Sequence, residues 1–197
     1  MLLPMVRAPK TRYGGYTKGR GVVCALSVAA ALGSFAGVAT AKDHLDVRAR
    51  DQCDPVTFGA LCNTAFDGHV TLGEFQAAVP HGGHGGWKFD PGPSGGHLDL
   101  GGVVQVVSEA GETHTLTQVR AFGGGFVIAL NAAVGGAETV PECATMATGG
   151  LHPTPTGIVV PFGSVQTFQA GSTLFPRGIH LYQCCIHPWM RTIITVR

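Results

Sequence analysis

The feature that most constrains this chain is a set of three potential metal ligands near its C-terminus. Cys184, His187 and Met190 stand at positions i, i+3 and i+6. Pro188 follows the histidine and interrupts strand pairing, so we predict that the three side chains lie on a tight loop between two strands. A thiolate, an imidazole and a thioether this close together suit a soft metal, copper above all. The alternative is ordinary packing, because cysteine and methionine are common core residues.

A fourth potential ligand lies about seventy residues upstream on a predicted strand. His114 stands in the segment Glu-Thr-His-Thr-Leu-Thr, whose β-branched residues favour a strand. One histidine from an early strand, joined by Cys, His and a weak axial Met from a late loop, is the His2Cys set of blue copper sites. We therefore predict that His114, Cys184, His187 and Met190 bind one copper ion.

The same loop resembles that of a known family. The string Cys184-x-x-His187-x-x-Met190, preceded by Tyr182 and followed by an apolar strand, is similar to the C-terminal ligand loop of the cupredoxins in its short, amicyanin-like form. The resemblance extends over roughly residues 87–197. It implies an all-β fold, a Greek-key cupredoxin-like β-sandwich or barrel, with one type 1 copper ion that transfers single electrons.

The chain from Trp87 onward has the residue pattern of a β-protein. Short β-branched or alternating runs are separated by Gly, Pro and Asp, which predicts several strands in a sandwich or barrel. Between Ala121 and Gly157 this strand pattern is absent for about 35 residues. A loop of that length in a compact domain is either functional or partly helical. Since this excursion follows the His114 strand, we expect it to lie over the metal end of the barrel.

The first 41 residues predict a secretory signal. They contain five basic residues and no acidic residue, then a Val, Ala and Leu-rich run from Gly21 to Val38, then Ala39-Thr-Ala41. This order of basic, apolar and small residues predicts cleavage after Ala41 and a periplasmic or secreted protein with no membrane span. The competing interpretation is an uncleaved anchor, because an 18-residue apolar run just reaches spanning length.

Loss of this leader would change the net charge. Of 13 Lys and Arg, five lie in residues 1–41, so eight remain against 12 Asp and Glu, a formal net charge of −4. Such a balance argues against nucleic acid as a partner. It favours a basic protein partner attracted by electrostatic steering.

The cysteines give an independent argument. Cys24 lies in the leader, which leaves five in the mature chain, an odd number for an oxidising compartment. If Cys184 binds metal, four remain for two disulfides, and its neighbour Cys185 would face the other way. We expect Cys53 to pair with Cys62 and Cys185 to be free for Cys143 or another partner, although four cysteines allow three connectivities.

Residues 42–86 are predicted to form a small helical hairpin and a linker, separate from a copper-binding domain over 87–197. Residues 42–50 are charged and expected to be frayed. Asp54-Pro55 predicts one helix start, and Thr71 with Glu74 forms a capping box that predicts another. The run from Asn63 to Glu74 partly resembles an EF-hand loop, but Asn63 and Ala65 remove ligands, so we interpret Glu74 as a cap. The Gly/His run of residues 81–86 predicts a flexible connector.

The remaining candidates do not favour catalysis. His97, His152 and His180 lack a strand-end position opposite the cysteine loop, and Trp189 is interpreted as a packing or rim aromatic. Multicopper oxidases need a histidine beside the cysteine, whereas Cys184 is flanked by Gln183 and Cys185. With all metal positions filled by protein, no site is open for a substrate, so we predict that the protein is not an enzyme.

These observations predict an exported carrier of single electrons. Its redox partner is expected to dock at the His187 edge, where Pro188 and Trp189 would form an apolar face. One alternative is a periplasmic copper storage or delivery protein that does not cycle its metal. Another is a structural cupredoxin in which Cys184 pairs with a second cysteine.

Overall fold

The computed structural model describes residues 42–197, which form two β-sheets with three short helices. The predicted leader, residues 1–41, and its cleavage after Ala41 lie outside the described residues. The strands are β1 (His44–Arg50), β2 (Lys88–Asp90), β3 (Gly96–Leu98), β4 (Val103–Glu109), β5 (His114–Val119), β6 (Gly157–Val160), β7 (Val165–Gln169), β8 (Gly178–Gln183) and β9 (Arg191–Val196). The helices are α1 (Pro55–Phe58), α2 (Leu72–Ala78) and α3 (Pro141–Ala147). Within this part of the chain no helix is long and apolar enough to cross a bilayer.

The strands pack as a two-layer sandwich, which confirms the predicted all-β class. One sheet has four strands in the order β2-β1-β4-β7, and the other has five in the order β3-β9-β8-β5-β6. The pairs β1/β4 and β3/β9 are parallel, and the remaining pairs are antiparallel. Apolar side chains from both sheets meet between the layers, among them the fully buried Val47, Val106, Leu116 and Ile194.

Strand β1 corrects the expectation that residues 42–50 are frayed. Leu45, Val47 and Ala49 alternate inward into the core, while the charged residues between them face outward. On that outer face Arg48 pairs with Asp46 and with Glu109 of the neighbouring strand. The strand was not predicted because the residues that face outward in this segment are charged, and they outweighed the apolar residues that alternate with them. The predicted division of the chain at residue 86 stays a prediction, and the sandwich includes this strand from before it.

Both helices of the predicted hairpin begin where the sequence predicts them, at Asp54-Pro55 and at Thr71. The side chain of Asp54 accepts from Val56 N at 3.0 Å, with Pro55 at the first helical position of α1. In α2, Thr71 and Glu74 complete a reciprocal capping box: Glu74 Oε2 accepts from Thr71 N at 2.9 Å, and Thr71 Oγ1 accepts from Glu74 N at 3.3 Å. The cap thus satisfies two orphan donors of the helix, as predicted, and occupies the Glu74 carboxylate.

The Gly/His run does not behave as a free connector. Residues 79–81 form a 3-10 turn, and Gly83, at φ +84°, lies against the indole of Trp189. An added Cβ at Gly83 would stand 2.3 Å from that ring, so the close approach requires glycine. The linker is therefore packed against the C-terminal loop at Gly83 and is not a free, solvated connector at that residue.

The excursion after β5 lies beside the C-terminal loop, in the direction we expected. It contains a 3-10 helix, Ile128–Val134, and α3. Phe126 N donates to the carbonyl of Cys185 at 2.9 Å, and a disulfide joins Cys143 of α3 to Cys185. The excursion is thus partly helical and is fastened to the loop that carries the predicted ligands.

Candidate metal centre

The C-terminal loop is a tight turn between β8 and β9 that folds three predicted ligands into the interior. Cys184 N donates to the carbonyl of Met190 at 3.0 Å, and Met190 N donates to the carbonyl of His187 at 2.9 Å. These two backbone hydrogen bonds close the loop on itself. Cys184, His187 and Met190 are all buried.

His114 reaches the same place from β5, of which it is the first residue. Its Nδ1 lies 3.8 Å from Cys184 Sγ, and His187 Nδ1 lies 3.9 Å from that sulfur. The two Nδ1 atoms are 3.3 Å apart. The potential ligand atoms of His114, Cys184 and His187 all lie within 4.8 Å of one another. Two imidazole nitrogens and one sulfur therefore face a common point.

The sulfur is held as an acceptor. Backbone N–H groups of Thr115 and His187 point at Cys184 Sγ, at 3.4 and 3.5 Å. Burial alone would raise the pKa of the Cys184 thiol, but the hydrogen bonds and charges of His114 and His187 outweigh it and lower that pKa well below its usual value. This shift favours the thiolate, which is the form that binds metals.

A buried carboxylate fixes the orientation of His114. Asp51, just after β1, accepts from His114 Nε2 at 2.9 Å and leaves Nδ1 to face the sulfur. Burial opposes protonation of His114, yet the hydrogen bonds and charges of Asp51 and Cys184 raise its pKa to about 10. Burial likewise disfavours the Asp51 anion, but the contact with His114 leaves the pKa of Asp51 lowered.

A second carboxylate stands by the other imidazole. Glu112 Oε2 lies 3.5 Å from His187 Nε2 and also accepts from the indole nitrogen of Trp87. Burial raises the pKa of Glu112, and the neighbouring His187 opposes that shift. Each histidine of the cluster thus has its distal nitrogen next to an acid and its Nδ1 directed at Cys184.

Met190 lies at the end of the loop and is fully buried in the core. Its backbone closes the ligand loop, as described above. That its thioether is a fourth, weak ligand stays a prediction.

The hairpin covers His187. The rings of Phe75 and Trp87 lie 5.8 and 6.4 Å from the His187 imidazole, centroid to centroid, and His187 is 2 % exposed. Pro188 is buried as well, whereas Trp189 is half-buried. The face predicted for docking is therefore only partly open, because α2 lies on it.

An apolar cavity of about 390 Å³ lies between the hairpin and the excursion. Its walls include Phe58, Leu72 and Leu130, and it reaches His187 and Glu112. Of the three clustered ligand candidates, His187 lines this cavity, whereas Cys184 and His114 do not.

The disulfides leave one thiol in the described part of the chain. Bridges join Cys53 to Cys62, as expected, and Cys143 to Cys185, one of the pairings that the sequence left open, and Cys184 is the free cysteine among residues 42–197. Cys185 faces away from the cluster towards α3, as the alternation of strand residues predicted. The interpretation in which Cys184 forms a disulfide does not match these bridges.

The other histidines considered in the sequence lie elsewhere. His97 and His152 are exposed, and His180 is hydrogen-bonded to Gln118 at 2.7 Å on the sheet surface. Of the linker histidines, His84 packs its ring 5.3 Å from Trp87 and accepts from Gly86 N.

Sequence reasoning missed Asp51 and Glu112. Glu112 lies two residues before His114, and strand parity could have placed both on one side of the chain. Asp51 gave no such signal, since it follows a segment whose strand was not predicted.

Neither a protein-family model nor a curated protein matches the chain. Its structural neighbours are cupredoxins. A purple cupredoxin from Nitrosopumilus maritimus is 14 % identical, covering 77 % of this chain and 98 % of its own, with a TM-score of 0.36. Reduced auracyanin from Roseiflexus castenholzii is 13 % identical, covering 80 % and 98 %, with a TM-score of 0.36. The Cu(I) form of an amicyanin mutant is 14 % identical, covering 56 % of this chain and 73 % of its own, with a TM-score of 0.32.

Proposed function

We propose that this protein is an exported type 1 copper protein that shuttles single electrons between redox partners. His114, Cys184 and His187 would bind the metal, and Met190 would be a weak fourth ligand. The observation that carries the proposal is the convergence of two Nδ1 atoms and one Sγ within 4.8 Å in a buried site.

The donor set fits copper. A thiolate with two imidazoles combines soft and borderline ligands, the set used by His2Cys electron-transfer sites. Bound copper would supply one-electron chemistry by alternating between Cu(II) and Cu(I). The chain's own contribution is to orient both imidazoles through their distal nitrogens and to favour the deprotonated form of Cys184 by lowering its pKa.

Burial supports a carrier rather than an enzyme. Cys184 and His114 are fully buried, and the cavity over the site reaches only His187 of the three. A substrate would therefore find little access to the donor atoms. An electron needs no such access, because it can pass through the packed side chains around His187.

The partner is proposed to dock over the edge formed by His187 and Trp189. Because α2 covers His187, contact there would be made through Trp189 and the hairpin residues around Phe75. The net charge of −4 after loss of the leader favours a basic partner.

Export is supported by two features. The two disulfides of the described residues suit an oxidising compartment. The basic and apolar pattern of residues 1–41 is that of a secretory signal, and we propose cleavage after Ala41. The protein would then be periplasmic or secreted.

Absorption spectroscopy tests the proposal directly. Addition of Cu(II) to the metal-free mature protein should give an intense visible thiolate-to-copper band that a mild reductant bleaches and air or ferricyanide restores. Cys184→Ser should abolish the band. The double variant Cys143→Ser/Cys185→Ser is the matched control and should retain it. Absence of the band in the wild type, or its survival in Cys184→Ser, would exclude the proposed ligand set.

The second candidate is copper storage or delivery without redox cycling. The observation that favours it is the cover over His187, which limits contact with a partner. Tight Cu(I) binding by a protein that develops no visible band with Cu(II) would support this role instead.

A further inference from the structure

Two buried carboxylates contact the distal nitrogens of the two imidazoles in the cluster. Asp51 Oδ2 lies 2.9 Å from His114 Nε2, and Glu112 Oε2 lies 3.5 Å from His187 Nε2. Asp51 is fully buried, and the Glu112 side chain is 11 % exposed. Both imidazoles therefore present one nitrogen to Cys184 and the other to an acid.

The position of Asp51 is fixed by the backbone around it. Its carboxylate accepts from Gly111 N at 2.8 Å, Glu112 N at 2.9 Å and Cys53 N at 3.3 Å, in addition to His114. Four donors on one carboxylate stabilise its anionic form in the interior. Cys53 is further tied by its disulfide to Cys62, so the acid cannot easily move away from His114.

Glu112 is held differently. Its side chain accepts from the indole N–H of Trp87, which packs in the hairpin core, and it has no backbone N–H donor among the described residues. A Glu112→Gln substitution therefore removes the carboxylate with little effect on the surrounding main chain.

We propose that Asp51 and Glu112 are positioning residues that make the site favour Cu(II) over Cu(I) and so lower its reduction potential. The inference rests on the proposed copper function. A carboxylate on the distal N–H fixes the ring and raises the basicity of the ligating nitrogen. Asp51 and Glu112 lie 2.9 and 3.5 Å from the two imidazoles in a poorly solvated region, where an ionised carboxylate would stabilise a doubly charged ion more than a singly charged one.

A purely structural role is the competing explanation, especially for Asp51. It would connect the end of β1 to residues 111–114 and support the fold alone. In that case its replacement would lower stability and leave the balance between the two oxidation states unchanged. The two explanations thus predict different readouts.

The test compares Asp51→Asn and Glu112→Gln with the wild type. Reduction potentials and competition-based affinities for Cu(II), Cu(I) and redox-inert Zn(II) would be measured, with unfolding of the metal-free proteins recorded separately. The matched control is Glu109→Gln, which removes one carboxylate from the outer face of β4, where it pairs with Arg48 and Arg50.

We expect each variant to raise the potential and to reduce the ratio of Cu(II) to Cu(I) affinity by about tenfold or more, as removal of a nearby buried charge implies. Zn(II) affinity should fall in step with that of Cu(II), whereas Glu109→Gln should change neither. A folded variant with the wild-type ratio would overturn the role of that carboxylate. Should Asp51→Asn fail to fold, Glu112→Gln decides the proposal. A wild type without the visible copper band would instead contradict the proposed function itself.

Discussion

The ring of Phe75 stands edge-on to the imidazole of His187, with centroids 5.8 Å apart and an interplanar angle of 89°. This contact joins α2 to the candidate metal centre. The helix that precedes the linker is therefore part of the wall of the site, and its packing controls how far His187 is shielded from water.

Truncation of this ring should both destabilise the protein and open the site. We expect Phe75→Ala to cost about 3–5 kcal/mol of unfolding free energy, the usual range for a buried phenylalanine. Urea denaturation of the metal-free protein measures that loss. Reduction of the copper-loaded variant by a small soluble reductant should also become faster, because His187 is then exposed.

The control for this substitution is Val56→Ala. Val56 lies in α1 of the same hairpin but is 88 % exposed, so its truncation should leave both stability and reduction rate near the wild-type values. Equal reduction rates in Phe75→Ala and the wild type would show that α2 does not shield the site.

Gly83 provides a test of how the linker is fastened. Both Gly82 and Gly83 have positive φ, at +102° and +84°, so alanine is strained at either position. Only at Gly83 would the new Cβ meet Trp189, whereas Gly82 faces open space. Gly83→Ala should therefore lose more stability than Gly82→Ala, by about 1 kcal/mol or more, as expected for overpacking.

Tryptophan fluorescence distinguishes the two variants. Displacement of the Trp189 indole in Gly83→Ala should shift its emission to the red, while Gly82→Ala should keep the wild-type spectrum. Identical spectra and stabilities in the two variants would mean that the linker is not packed against the C-terminal loop at Gly83.

Met190→Leu tests the proposed fourth ligand. The substitution nearly conserves volume in a buried position, so it should cost less than about 1.5 kcal/mol of stability. If the thioether binds the metal weakly, its loss should raise the reduction potential while the visible band from Cys184 remains. An unchanged potential would assign Met190 to core packing alone.

The ligand loop could be predicted from sequence because its information is local. Cys184 and His187 lie three residues apart, and Pro188 marks the turn between strands. His114 could be predicted as a ligand because β-branched neighbours identify its strand. The two carboxylates could not be predicted, since Asp51 meets residues 111–114 only through the parallel pairing of β1 with β4. That pairing is a long-range contact without a local sequence pattern.

The same reason explains why the role of the hairpin was missed. Its caps at Asp54 and Thr71 are local and were predicted correctly, yet nothing within residues 54–81 indicates the surface on which the helices pack. The contact depends on Trp87 and Phe75 meeting His187, and hence on the finished fold.

The disulfide Cys143–Cys185 should stabilise the excursion without determining the metal site. It closes a loop of 42 residues between α3 and the residue beside Cys184. Cys143→Ser/Cys185→Ser should therefore lose about 2–4 kcal/mol of unfolding free energy, the typical effect of removing such a cross-link. Denaturant unfolding of the metal-free protein measures the loss, and Cys53→Ser/Cys62→Ser, which opens a separation of only nine residues, is the comparison. On the loop-closure argument the shorter bridge should stabilise less.

Metal binding should persist in Cys143→Ser/Cys185→Ser, because Thr115 and His187 still direct their N–H groups at Cys184. Loss of the visible band there, with the fold intact, would show that the cross-link itself holds the sulfur in place.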